Sequence, residues 1–223
     1  MTMKVKDVMG SVAITVPLDA TFTMLVDTMR RFAVGAVTVV DADRRPVGIV
    51  STEDALLKEI HPQSDRGALF ESRRRRDEKR KAAGTTAQEL MTSPAITVTE
   101  GTSVREAARL MHTQHIKQLP VINVMTGRVA GTVHQKDLLK VYARPAADIE
   151  RDVWQVIEDS NVAGEGLGVA VEGGVVTLMG QTPLRSEAAR LATSAEAVDG
   201  VVEVVDDLSF TRDDQAYVPS VYF

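Results

Sequence analysis

The chain repeats itself. Met9 with Ile14, Thr15 and Val16 recurs as Met91 with Ile96, Thr97 and Val98, an offset of 82 residues. Phe22, Leu25, Val26 and Met29 recur as Val104, Ala107, Ala108 and Met111 at the same spacing. From Gly48 and Asp54 to Gly131 and Asp137 the offset is 83, so one residue has been inserted between the two points. An echo of fixed period and this length means two copies of one supersecondary unit. Two such units pack about a pseudo-twofold axis, and the cleft between them is where a ligand belongs.

Within each copy the apolar period changes from helix to strand. Thr15-Val16 forms a short extended segment, and Asp19 or Thr21 offers a side-chain oxygen to cap the helix that follows. Phe22, Leu25, Val26 and Met29 obey the i, i+3, i+4, i+7 rule that lays one apolar face along a helix. Strands over Ala36 to Val40 and Val47 to Val50 flank the turn-rich DADRRP segment, and a second helix begins at Ser51. The second copy repeats the plan with Val104 to Met111, Leu119 to Val124, Val129 to Val133 and a helix from Gln135.

Charge is unevenly placed along the 223 residues. Residues 1–145 carry 22 basic and 16 acidic side chains, whereas residues 146–211 carry 3 and 13. Arg66 to Lys81 alone holds 8 basic and 3 acidic groups. Residues 61–86 thus form a charged linker with little apolar period, a solvated helix or mobile loop between the copies. There is no cysteine, which excludes disulfides and thiolate metal sites. MTMKVKDVMG has no apolar signal region, and no run of about 18 apolar residues occurs. A cytoplasmic protein is expected.

Near Ala143-Arg144-Pro145 the helical pattern is interrupted and the period changes. Ile149, Val153, Val156 and Ile157 mark one helix face. Two strands flank the glycine turn Glu172-Gly173-Gly174, Gly180 ends the second of them, Ser186 to Val198 forms an Ala-rich helix, and Gly200 leads into a last strand over Val201 to Val205. This is a third domain of order αββαβ, and residues 211–223 form a tail.

The pairs VMGSVAITV and LMTSPAITV, VGAVTVVD and IKQLPVIN, and GIVSTED and GTVHQKD resemble a tandem pair of CBS domains, the cystathionine-β-synthase type module, over about residues 3–142. VEGGVVTLMGQ, the helix after it and VDGVVEVVDDL resemble a BON domain, of the bacterial OsmY and nodulation type. The resemblance implies an α+β fold: two pseudo-symmetric βαββα CBS units forming a Bateman module, plus a small αββαβ BON domain. Its divisions are CBS domain 1 at 3–60, the linker at 61–86, CBS domain 2 at 87–142, the BON domain at 148–210 and the tail at 211–223. It also implies a homodimer, because Bateman modules pair into flat discs.

CBS pairs bind adenosine-containing ligands between their sheets, so AMP, ADP, ATP, S-adenosylmethionine or NADH is the implied regulatory ligand, with no cofactor required. The phosphate and ribose signature is glycine, two apolar residues, Ser or Thr, two variable residues and Asp, and Gly48-Ile49-Val50-Ser51-Thr52-Glu53-Asp54 fits it throughout. Physically, Ser51 at a helix start lies where free N–H groups and the dipole favour a phosphate, and Asp54 can accept from ribose hydroxyls. Ser-x-x-Asp is also a capping box, with both side chains turned back on the first helical turn. The ligand reading needs an open groove; the capping reading needs both side chains facing their own backbone.

The second copy places His134 where Ser or Thr is expected, although Gly131 and Asp137 are kept. Histidine is a poor N-cap. It gives either a pH-dependent phosphate contact or an empty half-site. By the resemblance, Thr15, Ala36, Val37, Thr97, Gln118 and Leu119 line the adenine and ribose pocket, backbone groups doing much of the recognition, while core packing also accounts for the apolar members.

Arg73 to Arg76 either is solvated surface, reaches a polyphosphate, or docks the acidic C-terminal domain. His112 and His115 lack a third ligand, and no metal is expected there. The absence of a P-loop, a Gly-x-Ser-x-Gly elbow and a cysteine nucleophile argues for a non-enzymatic sensor in which the BON domain signals to a protein partner. The alternative is a peripheral envelope or phospholipid-associated or protein-interaction adaptor with no nucleotide bound. The acidic surplus of residues 146–211 opposes attraction to an anionic membrane. Nucleic-acid binding lacks the interleaved aromatics and the broad basic surface.

Overall fold

The computed structural model describes residues 2–60, 78 and 80–215. Most of the charged linker, with the Arg73 to Arg76 run, and the end of the tail lie outside the described residues. The chain forms two compact units, one of Lys4–Leu138 and the other of Leu139–Phe223 with Met1–Met3.

In the first unit the elements are α1 (Val5–Val8), β1 (Thr15–Pro17), α2 (Phe22–Phe32), β2 (Ala36–Val40), β3 (Pro46–Ser51) and α3 (Thr52–Ile60), then α4 (Ala87–Leu90), β4 (Val98–Thr99), α5 (Val104–Thr113), β5 (Gln118–Ile122), β6 (Val129–His134) and α6 (Gln135–Leu138). The choice between Asp19 and Thr21 falls to Thr21, whose Oγ1 accepts from Met24 N at 3.3 Å. Ser103 does the same for α5, accepting from Glu106 N at 3.1 Å. Each repeat forms a three-stranded sheet, β1-β2-β3 or β4-β5-β6, with a parallel then an antiparallel pairing. Both sheets even break register at one equivalent place, between Val39 and Val40 and between Val121 and Ile122.

The core of the first repeat gathers Val16, Leu25, Met29, Val37, Val39 and Val50, and it also takes Ala87 and Leu90 from α4. This follows from an exchange that the repeat pattern conceals. Each lead-in segment docks on the other repeat. Val5 N donates to Thr102 O and Gly10 N to Thr132 O, so α1 and its exit serve the second repeat. Ala87 N donates to Ala20 O and Thr92 N to Ile49 O, so α4 and its exit serve the first. The repeated glycines make room for this. A Cβ on Gly48 would overlap the Met91 side chain, and one on Gly131 would run into the Gly10 carbonyl. Side-chain packing tolerates little such overlap.

The second unit holds a 3₁₀ turn (Leu139–Ala143), α7 (Ala146–Asp159), β7 (Glu165–Glu172), β8 (Val175–Leu184), α8 (Arg185–Glu196) and β9 (Glu203–Arg212). Its sheet order is β7-β8-β9, a hairpin followed by a parallel crossover through α8. Gly173 and Gly174 turn the hairpin at φ 58° and 83°, a conformation that side chains with a Cβ resist. Ile149, Val153 and Ile157 of α7 and Leu191 and Ala195 of α8 pack on Val176 and Leu178.

Two strand limits differ from the sequence expectation. β8 does not end at Gly180 but runs through it to Leu184, with Gly180 at φ 118° beside a register break in β7. β9 begins at Glu203 and extends to Arg212 rather than spanning Val201 to Val205, because a parallel partner of ten residues is available to satisfy its backbone. Residues 211 and 212 thus belong to the sheet, not to a tail. Asp214 then accepts from Ser186 N at 3.0 Å and Ser186 Oγ at 2.6 Å, pinning the chain at the start of α8. These hydrogen bonds hold the Asp214 carboxyl below its ordinary value.

A buried ion pair braces this unit. Arg144 Nη2 lies 2.8 Å from Asp152 Oδ2, and its Nη1 donates to Asp199 O. Met3 N donates to Asp199 Oδ2, so residues before Lys4 join the same network. Burial pushes the Asp152 carboxyl up, but hydrogen bonding and charge attraction, Arg144 among the partners, outweigh it and hold the group below its ordinary value.

Candidate functional site

The sheet registers bring the candidate residues of the first half-site together. Ala36 pairs with Ser51 across β2 and β3, and Gln118 pairs with His134 across β5 and β6. Gln118 Nε2 donates to Ala36 O at 3.3 Å, which joins the two strand starts. Thr15 pairs with Thr38 across β1 and β2. Thr97 lies just before β4, outside the hydrogen-bonded strand. Val37 and Leu119 are wholly buried, and Val37 belongs to the core of its repeat, so only their backbones are available to a ligand.

Ser51 and Asp54 form the capping box. Asp54 Oδ2 accepts from Ser51 N at 2.8 Å and from Ser51 Oγ at 2.7 Å, and Asp54 N donates back to Ser51 Oγ at 3.2 Å. Both side chains face their own helix start, as the capping reading demands. His134 and Asp137 reproduce the pattern: Asp137 Oδ2 accepts from His134 N at 3.0 Å and lies 3.2 Å from His134 Nδ1. The imidazole therefore replaces the serine hydroxyl as the carboxylate's local partner, something the low capping preference of histidine did not indicate.

Three further residues belong to this region and carry no motif signal. Lys81 Nζ lies 2.5 Å from Asp54 Oδ1 and 2.6 Å from Thr92 Oγ1. Thr92 is placed beside Ile49 by the exchanged lead-in segment. Thr38 is 1% exposed, and among the described residues its hydroxyl has no hydrogen-bond partner. The one available clue was comparison of the copies, since Thr38 stands where the second repeat has Pro120. An orphaned buried hydroxyl is costly and calls for a partner.

Elsewhere, the C-terminal unit has an open depression of about 570 Å³ lined by Glu165, Gln181, Thr182, Glu187 and Arg212 among others. Its Thr182 hydroxyl donates to Leu184 O and its Glu187 accepts from Leu184 N, so these groups serve the fold. Among the described residues no helix is long and apolar enough to cross a membrane.

Comparison with known proteins agrees with this architecture. The CBS domain model matches residues 5–60 and 87–144, and the BON domain model matches residues 145–212. An uncharacterised protein of Methanopyrus kandleri is 27% identical over 131 residues, 59% of this chain and 58% of that protein. A CBS domain-containing protein of Dictyostelium discoideum is 29% identical over 139 residues, 62% of this chain and 90% of that protein. Among solved structures, CBSX2 of Arabidopsis thaliana in complex with AMP superimposes at a TM-score of 0.53 with 21% identity, over 61% of this chain and 94% of that one. The CBS domain pair of protein MJ0100, in complex with 5′-methylthioadenosine and S-adenosyl-L-methionine, gives 0.51 and 21%, over 64% and 98%. The paired sheets with exchanged lead-in segments, the matched residues and the third sheet beyond Pro145 lead to one assignment: this chain belongs to the CBS domain family, as a tandem pair followed by a BON domain.

Proposed function

We propose that the CBS pair is a non-enzymatic sensor of an adenosine-containing ligand and that the BON domain relays its state to a protein partner in the cytoplasm. The observation that carries the reading is the junction at Ala36. There the first repeat's helix start, with Ser51 and Asp54, is held next to Gln118 of the second repeat. A ligand bound there touches both repeats, so it can alter how they pack. The solved CBS pairs that hold AMP or S-adenosylmethionine support the ligand class.

The capping geometry sets the terms of binding. Ser51 and Asp54 are satisfied without ligand, so phosphate and ribose must exchange for bonds the chain already makes. Thr15, Ala36, Val37, Thr38, Thr97, Gln118 and Leu119 complete the proposed first site, and His134 with Asp137 forms its counterpart. The Thr38 hydroxyl is the polar group with most to gain from a ligand.

Dimerisation is part of the proposal. α3 has no buried residue although it carries Leu56 and Ile60, which are 57% and 64% exposed. A second copy would cover that face, as in the disc-like pairs of the family. For the BON domain, a protein partner is favoured over a membrane by its acidic surplus and by the half-exposed Met179 and Val205 on the open side of its sheet.

The test is a thermal shift against AMP, ADP, ATP, S-adenosylmethionine and NADH. A ligand at about 100 times its dissociation constant stabilises by about 2.7 kcal/mol. A flat response to all five defeats the sensor reading, whereas liposome co-sedimentation that persists at high salt would favour the adaptor.

A further inference from the structure

We propose that Lys81 is an intramolecular latch on the first half-site: its ammonium occupies the carboxylate oxygen that a ribose would use, so ligand entry releases the helical residues 80–83. The inference rests on the adenosyl-ligand reading of Ser51 and Asp54.

The carboxylate of Asp54 is divided between two tasks. Oδ2 closes the capping box on Ser51, and Oδ1 takes Lys81 Nζ at 2.5 Å. The pair is well shielded, with the side chains of Lys81 and Asp54 12% and 14% exposed. Lys81 also donates to Thr92 Oγ1, on the lead-in segment of the second repeat, at 2.6 Å. One ammonium therefore ties the helix start of the first repeat to the strand lead-in of the second.

The backbone around Lys81 is docked as well. Lys58 Nζ donates to Ala82 O at 3.1 Å while lying 5.0 Å from the centroid of the Phe22 ring, and Ala82 is buried. Gly84 N donates to Lys81 O at 3.0 Å. These anchors hold the last turn of the linker against α2 and α3.

Ribose hydroxyls are neutral donors. With Oδ2 engaged twice by Ser51 and Oδ1 once by Lys81, the carboxylate keeps one acceptor site, too few for two vicinal hydroxyls, so a ribose that uses both must displace the charge-assisted bond. A ligand that competes with an occupied state binds with its affinity scaled down by the fraction of sites that are open. Displacing Lys81 frees the segment that also carries Ala82. Binding at Asp54 thereby becomes a change in the linker joining the two repeats. A lysine placed to hold phosphate makes the opposite demand, since its removal weakens binding.

The experiment compares full-length wild type, Lys81→Met and Lys81→Arg by isothermal titration with AMP and with S-adenosylmethionine, alongside amide hydrogen exchange of residues 80–86. Lys81→Met is expected to bind about fivefold more tightly, the scale of one partly shielded ion pair. Lys81→Arg, which keeps the charge, is expected to stay near wild type. Exchange at 80–86 should rise in ligand-free Lys81→Met and in ligand-bound wild type. Binding to wild type that Lys81→Met leaves equal or weakens overturns the latch alone, as does unchanged exchange at 80–86. No binding of either probe to any of the three proteins overturns the adenosyl reading, and the latch with it.

Discussion

Gln118 reaches from the second repeat to the carbonyl of Ala36 in the first, and the two residues occupy equivalent positions in their own repeats, 82 residues apart. Alanine cannot return the bond, so the pseudo-twofold relation is broken at the place where the halves meet. The proposed first half-site gains a cross-repeat hydrogen bond, a serine cap and an ammonium partner. Its counterpart gains an imidazole.

This asymmetry predicts unequal roles for the two aspartates. Asp54→Ala should abolish the ligand-induced thermal shift, and Asp137→Ala should reduce it far less. Asp54→Ala should also lower stability, through loss of the capping box and of the Lys81 partner, so the ligand effect is read as a shift relative to each variant's own ligand-free midpoint. A larger loss in Asp137→Ala would transfer the site to the second half.

Thr38→Val separates a ligand contact from a packing residue. Removing an unsatisfied buried hydroxyl in favour of a methyl of the same shape should leave unfolding free energy within about 0.5 kcal/mol of wild type. If the hydroxyl meets the ligand, affinity should nevertheless fall about fivefold to tenfold. Unchanged affinity removes Thr38 from the site.

The two repeated glycines should tolerate a methyl group unequally. At Gly131 the obstacle is the Gly10 carbonyl, which the lead-in strand holds in place by paired hydrogen bonds to Thr132. At Gly48 it is the Met91 side chain, which can rotate away. Urea unfolding of Gly131→Ala should show a loss of about 2 to 3 kcal/mol, and Gly48→Ala about 1 kcal/mol. Met91→Ala should cost less in the Gly48→Ala background than it costs alone, because there it also removes the overlap.

Asp152, with Arg144 among its partners, should give the C-terminal unit an acid-sensitive component. The carboxyl is held below its ordinary value in the folded chain. Its contribution is therefore complete above the unfolded value of about 3.9 and is lost as pH falls through the lower folded value. Asp152→Asn, which leaves Arg144 buried without its charge partner, should cost about 3 kcal/mol near neutral pH. The gap from wild type should stay constant down to about pH 5 and narrow below about pH 4, as read from urea midpoints across that range.

Leu56→Glu should convert the proposed dimer to a monomer in light scattering, with unfolding free energy of the monomer altered by less than about 0.5 kcal/mol because the residue is exposed in the single chain. A wild type that is already monomeric across the concentration range refutes the dimer.

The duplication, the helix and strand types, a cap at Asp19 or Thr21 and the glycine hairpin at Gly173 and Gly174 were all present in the sequence, because each depends on residues a few positions apart; the structure chose Thr21 for the cap. Periodicity and turn chemistry act locally, and a repeated pattern of them identifies a repeated fold. The ends of β8 and β9 were not, since a strand continues as long as a neighbour accepts its hydrogen bonds.

The exchanged lead-in segments, the orphaned hydroxyl of Thr38 and the ion pair between Lys81 and Asp54 were decided only by tertiary structure. Lys81 lies 27 residues from Asp54 within a run of similar charges, and nothing in that run distinguishes it from its neighbours. Sequence spacing selects which side chains share a helix turn or a strand face. Which distant group bonds the second oxygen of a carboxylate depends on how whole segments pack, and that is settled by burial and close approach in three dimensions.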